Sequence, residues 1–219
     1  MGRPFGGWHE DPLWASVYDW TVEHPLIGGV LWKAGLGSEL RRLYDAAAEI
    51  GSLPAGARVL DVPCGGGVAL RGLRVGQGVQ YVAADISATM LERTREAAVE
   101  RGVADQVETV LADVVDLPFD DASVDLVVSF TGLHCFPDPE AAVAEMARVL
   151  ASGGVLTGSA LLNDTGLRFA PLRFAGRVGG LLGPGCTAAE LTGWLAEHDL
   201  SEVRLATSGA VGYFRAVKA

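Results

Sequence analysis

Between Ala57 and Leu161 the chain alternates short β-branched, apolar runs with stretches that carry helix signals. The runs are ARVLDV from Ala57, VQYVAA from Val79, VETVL from Val107, VDLVVSF from Val124 and GVLTGSAL from Gly154. Short, continuously apolar runs suit strands buried on both faces of a parallel sheet. Between them, Ser87 predicts the N-cap of a helix through Arg101, closed by Gly102 in a left-handed conformation. Asp138 and Pro139 predict the N-cap and first turn of a second helix. Its Val143, Met146, Ala147 and Leu150 share one face, and Ser152-Gly153-Gly154 is expected to stop it. Thr187 with Glu190 forms a capping box for a third helix, with Leu191, Trp194, Leu195 and His198 at core spacing. Two β-rich stretches, Ser201 to Thr207 and Val211 to Val217, close the chain around Gly209. Strand–helix alternation implies right-handed crossovers and a doubly wound α/β sheet. Ligands in such sheets bind beyond the carboxyl ends of the strands, so chemistry is expected just after Val62, Ala84, Leu111 and Phe130.

The flanking residues extend this core without adding a second domain. Trp8, Trp14, Tyr18, Trp20 and Trp32 crowd the first 56 residues, and Ser38 to Ile50 reads as an amphipathic helix ended by Gly51. Residues 1–56 therefore read as an N-terminal helical cap on a single domain spanning 1–219. Residues 57–161 form the ligand-binding core, and 162–186, rich in Gly, Arg and Leu, read as an irregular, flexible lid. Residues 187–219 supply the last helix and the strand pair.

Charge and cysteine usage narrow the partners. The 17 Lys plus Arg against 27 Asp plus Glu give a net charge of -10, which disfavours a nucleic-acid substrate. Cys64, Cys135 and Cys186 have no paired spacing, so neither a disulfide framework nor a metal site is expected. No secretory leader and no apolar run long enough to span a bilayer are read, which makes the cytoplasm the default location.

Four segments carry chemistry. In VLDVPCGGGVAL, from Val59, a strand ends at Asp61 and a Gly-rich turn follows, where backbone N–H groups can meet a ligand. Taken alone, such a turn also serves as an ordinary strand-to-helix connection. Asp85 ends the next strand, where a carboxylate can accept from both ribose hydroxyls of an adenosine ligand, and Ile86 can cover an adenine face. In ADVVDLPF, Asp113 can accept from an adenine amino group while the Val114 N–H addresses a ring nitrogen. In VDLVVSFTGLHCFPDP, Ser129 and Phe130 end the central strand, and His134 lies on the following loop.

Together these segments resemble class I S-adenosylmethionine-dependent methyltransferases, in the subgroup of ubiquinone/menaquinone-biosynthesis and small-molecule enzymes. The resemblance runs from about Arg58 to Leu161. It implies a Rossmann-like, doubly wound, seven-stranded and mostly parallel sheet whose last strand is antiparallel, with S-adenosyl-L-methionine as cofactor. It assigns Asp61 to the methionine amino group, and Cys64, Gly65 and Gly67 to the turn beneath the methionine moiety. Asp85 falls on the ribose, Ile86, Asp113 and Val114 on the adenine, and Ser129 near the methionine end. Pro63 stands where that family usually has Gly. The acceptor is expected to be a small, apolar or aromatic molecule. A hydroxyl or carbon-acid acceptor needs a proton acceptor, for which His134 is the first candidate, with Tyr18 and His24 behind it. A nicotinamide-dependent oxidoreductase and a non-catalytic cofactor-binding protein are the rival readings. Against the former, CGGGVAL lacks the third glycine of the dinucleotide fingerprint.

Overall fold

The computed structural model describes residues 25–219. Tyr18, His24 and the tryptophans at 8, 14 and 20 lie outside the described residues. Two helices, α1 (Pro25–Leu36) and α2 (Leu40–Ala47), precede the sheet. The expected helix of residues 38–50 is shorter than read, because a 3-10 turn, Ile50–Ser52, finishes it. The Gln77 side chain amide holds that turn, donating to Ile50 O and Leu53 O at 2.8 and 3.1 Å.

The core strands are β1 (Arg58–Asp61), β2 (Gln80–Asp85), β3 (Val107–Leu111), β4 (Val124–Phe130) and β5 (Leu150–Leu161). Helix α3 (Ala88–Glu100) joins β2 to β3, and α4 (Pro139–Val149) joins β4 to β5. Helix α5 (Ala170–Val178) and helix α6 (Ala188–Glu197) follow, and then β6 (Leu200–Ser208) and β7 (Val211–Lys218). The seven strands run in the order β3-β2-β1-β4-β5-β7-β6. Neighbours from β3 to β5 pair in parallel, while β7 is antiparallel to both β5 and β6. The order reverses between β1 and β4, which places the ligand crevice beyond Asp61 and Phe130.

Alternating side chains send each strand's apolar groups to two separate layers. Leu60, Val82, Val127 and Leu156 pack with Val143, Met146 and Ala147 of α4 and Leu191 and Leu195 of α6. On the other face Val59, Tyr81, Leu126 and Val128 meet Leu40, Leu43 and Ala47 of α2 and Leu91 and Ala98 of α3. Burial of each such side chain is worth about 1.5–3 kcal/mol. The helix ends follow the expected local chemistry. Ser87 Oγ accepts from Met90 N–H, Asp138 caps α4 with Pro139 in its first turn, and the Thr187–Glu190 capping box is complete.

Three expectations change. β3 is an edge strand, not buried on both faces, and Leu111 is 63% exposed. Helix α4 ends at Val149, ahead of Ser152-Gly153-Gly154, because Leu150 already pairs with Val124 of β4. Residues 162–186 are not irregular throughout, since they hold a 3-10 turn, Leu167–Phe169, and α5. Phe169 and Arg173, one turn apart, face inward, and Gly176 leaves space for Leu182: a Cβ there would meet its Cδ1 at 2.6 Å. No helix among the described residues is long and apolar enough to cross a membrane.

Gly158 is fixed by its neighbours, since a Cβ there would run into the Ser129 carbonyl of β4 and the Phe214 ring of β7. Gly158→Ala should lower the unfolding free energy by about 1–3 kcal/mol, measured by urea denaturation with an unchanged slope.

Candidate cofactor and active site

β1 delivers Asp61 to the crevice floor, and the turn after it is pinned to both neighbouring strands. Val62 N–H donates to Val128 O at 3.0 Å and Cys64 N–H to Ala84 O at 2.9 Å. Gly65 and Gly67 take φ values of +52° and +84°, which L side chains rarely adopt. The Gly65 Cα faces open space, with nothing within 4 Å of where a Cβ would stand. A 3-10 turn, Val68–Gly72, begins where a helix start is expected.

Asp85 ties this turn to the end of β2. Its Oδ2 accepts from Gly65 N–H at 3.0 Å and its Oδ1 from Ser87 N–H at 2.9 Å. Ala112 N–H donates to the Asp85 carbonyl at 3.0 Å, which brings the ADVVDLPF segment alongside. In that segment Val114 is buried by its side chain, and its N–H has no acceptor among the described residues. Asp113 is exposed and turns the chain, its Oδ1 accepting from Val115 N–H at 3.2 Å. Ile86 follows Asp85 in sequence and is 43% exposed, and its large aliphatic neighbours Leu111 and Val115 are 63% and 41% exposed.

Asp61 is 1% exposed. Tyr81 Oη donates to its Oδ2 at 2.6 Å. Burial raises the Asp61 carboxyl to about 8; the Tyr81 hydrogen bond opposes that shift and the neighbouring Asp85 charge adds to it. No cation enters this balance, so among the described residues Asp61 is a buried acid without a positive partner. The Cys64 thiol is pushed well above its ordinary range by burial and then by Asp61 and Asp85. Thr94 Oγ1 donates to Gly65 O at 2.8 Å and lies 3.4 Å from Cys64 Sγ, so Cys64 packs under the turn as an inert thiol. Ser129 is fully buried at the end of β4, and its Oγ has no partner. Gly132 of the next loop closes over it: a Cβ would stand 3.0 Å from Ser129 Oγ, 2.8 Å from the Phe136 ring and against Pro63 Cδ.

His134 requires a correction. It is 8% exposed, and its Nδ1 accepts from Leu161 N–H at 3.1 Å. Burial lowers its pKa to about 4. At neutral pH the ring is uncharged with its proton on Nε2, because Nδ1 is the acceptor. The available nitrogen is a donor, which does not suit a general base. Tyr18 and His24, the other candidate bases, lie outside the described residues.

Sequence reading missed Tyr81 and Thr94. A hydroxyl-bearing residue in an otherwise aliphatic strand, beside a strand ending in Asp, is the signal that could have found Tyr81. Asp61, Cys64, Gly65 and Asp85 are brought together, and Ser129 stands across the crevice on β4. A depression of about 240 Å³ lies elsewhere, over β5, β7 and β6, and none of these residues lines it. Among the described residues no group of three or more His, Cys, Asp or Glu side chains could hold a metal ion.

Residues 60–157 match the family described as a methyltransferase domain. The chain is 36% identical over 123 residues to 27-O-demethylrifamycin SV methyltransferase of Amycolatopsis mediterranei (strain S699), covering 56% of this chain and 45% of that protein. It is 37% identical over 126 residues to the ubiquinone/menaquinone biosynthesis C-methyltransferase UbiE of Xylella fastidiosa (strain M23), covering 57% and 49%. The match thus spans about half the length of these curated relatives. Among solved structures, geranyl diphosphate C-methyltransferase from Streptomyces coelicolor A3(2), in complex with Mg2+, geranyl-S-thiolodiphosphate and S-adenosyl-L-homocysteine, superposes with a TM-score of 0.67. It shares 16% identity over 83% of this chain and 78% of that one. The matched segment, residues 60–157, runs from β1 into β5 of the seven-stranded sheet and includes the turn after β1. The residues present fit S-adenosyl-L-methionine, the cofactor that the sequence resemblance implies. The open Gly65 face, the partnerless Ser129 hydroxyl, the Val114 N–H and the cation-free Asp61 are the groups such a ligand would satisfy.

Two outcomes follow. A carboxyl raised from an ordinary value of 3.8 to about 8 binds more protons folded than unfolded, so the stability it confers is lost as pH rises through that window. Asp61→Asn should therefore raise the melting temperature of the cofactor-free protein at pH 8, with the gain fading toward pH 4, while S-adenosylhomocysteine binding weakens. For His134, long-range 15N spectra should show the Nε2-protonated tautomer at pH 7 and titration only near pH 4.

Proposed function

We propose that the protein transfers the methyl group of S-adenosyl-L-methionine to a small, apolar or aromatic acceptor. The observation that carries this reading is the Asp85 carboxylate bracing the Gly65 turn beside the buried, cation-free Asp61. When bound, S-adenosyl-L-methionine supplies an electrophilic methyl group on a sulfonium. Asp85 accepts from the ribose hydroxyls while keeping the turn in place. Asp61 would hold the ammonium of the methionine moiety as a carboxylate, its proton released to solvent. Val114 N–H and Ile86 frame the adenine, with Asp113 at its rim, and Ser129 donates toward the methionine end. Holding methyl and nucleophile in line can supply roughly 7–11 kcal/mol of the barrier, so positioning by these groups can carry most of the catalysis.

The names of the relatives, which concern a rifamycin and ubiquinone/menaquinone biosynthesis, support a small-molecule acceptor. Exposed Leu167, Leu172, Phe174 and Val178 in the 162–186 segment support an apolar one. The net charge of -10 speaks against nucleic acid, and the same reading takes the cytoplasm as the place of action.

Calorimetry with S-adenosylhomocysteine and with NADH tests the cofactor, and binding of NADH alone would sink the proposal. Asp85→Asn keeps the shape but loses the charge and one of the two acceptor oxygens, so it should weaken S-adenosylhomocysteine at least tenfold and also lower the melting temperature. An Asp85 that served only to cap the turn would leave affinity intact once the variant folds.

A further inference from the structure

Beyond the cofactor crevice, two arginines of α5 converge with His134 at the carboxyl end of β5. Arg173 is 8% exposed, yet its guanidinium meets only carbonyls, Nη1 donating to Leu162 O at 3.3 Å and Thr165 O at 2.9 Å. Arg177 donates from Nη2 to Asn163 Oδ1 at 2.6 Å and Pro184 O at 2.7 Å, and from Nε to Gly183 O at 3.3 Å. Neither has a carboxylate within ion-pair distance among the described residues. The nearest acid in sequence, Asp164, is engaged with Ala188 N–H at the start of α6. A guanidinium has five N–H donors, so both keep donors to spare. His134, Arg173 and Arg177 line one small cavity with Leu161, Leu182 and Asn163. Its free volume of about 10 Å³ is room for one oxygen-sized group.

Arg173, Arg177 and the His134 imidazole share one small space in a chain of net charge -10, and no anion among the described residues neutralises the two cations. We infer that Arg173, Arg177 and the His134 Nε2–H form a site for one anionic oxygen of the methyl acceptor, a carboxylate or an ionised phenol. The inference rests on the methyltransferase reading for the word acceptor, but the anion site stands on its own geometry. The acceptor class it selects is an apolar or aromatic acid, its anionic oxygen in the cavity and its apolar body toward Leu182. His134 then positions substrate as a hydrogen-bond donor, and its bond to Leu161 N–H keeps Nε2 turned to that role.

Calorimetry at pH 8 tests the site with benzoate against neutral benzamide and with 4-nitrophenolate against nitrobenzene, each with and without saturating S-adenosylhomocysteine. At least one anion should bind tenfold or more tightly than its neutral analogue, and the better pair tells carboxylate from phenolate. Arg173→Met and Arg177→Met should each reduce that preference below threefold while S-adenosylhomocysteine affinity stays the same. Arg177 is exposed, so its variant decides the matter if Arg173→Met fails to fold. Equal affinity within both pairs, no binding of any of the four probes, or a preference that survives in Arg177→Met would overturn the inference. Loss of S-adenosylhomocysteine binding with the anion preference intact would instead count against the cofactor reading alone.

Discussion

The Asp85 carboxylate is the join on which the cofactor side of the molecule depends. One oxygen holds the Gly65 amide of the turn after β1, and the other holds Ser87, the N-cap of α3. The turn, the second strand and the following helix are thereby set by one side chain that is 5% exposed. Hydrogen bonds to a charged acceptor are worth about 1.5–3 kcal/mol each, more than the neutral kind. In the proposed function the same group accepts from a ribose, so that structural bracing and ligand recognition would share a carboxylate. Beside it, Asp61 lies buried at a cost in free energy that a cationic ligand offsets. The site is therefore least comfortable when empty, and it is built to bind charge of one sign.

Much of this was legible in the chain because local signals and tertiary packing agree. The runs at Val107 and Val124 match β3 and β4 residue for residue, and all three expected helix caps form. What escaped had non-local causes. That β3 lies at the sheet edge depends on strand order, which apolar content alone does not encode. The glycines of 162–186 suggested irregular chain, but Gly176 is a packing contact against Leu182 within an ordered helical segment. His134 looked available because it sits in a loop. Its partner, Leu161, is 27 residues away and meets it only once β4 and β5 are paired.

The crevice is electrostatically divided. Asp61 and Asp85 gather at the ends of β1 and β2, whereas Arg173 and Arg177 gather beyond β5. Ser129 and the loop to His134, both after the middle of β4, run between the two halves. An overall acidic chain thus keeps a local basic patch on the side away from its carboxylates, and opposite ends of the crevice favour ligand groups of opposite charge.

β7 lies between β5 and β6, so β6 touches the sheet only through a strand made after it. During folding β6 has no edge to join until residues 211–218 have crossed over to pair with β5. Chain order and assembly order are reversed at this end of the molecule. The hairpin of β6 and β7 must form first and dock as a unit, or β7 must dock alone and recruit β6 backwards. Either route couples the two strands, because loss of β7 from the sheet takes β6 with it.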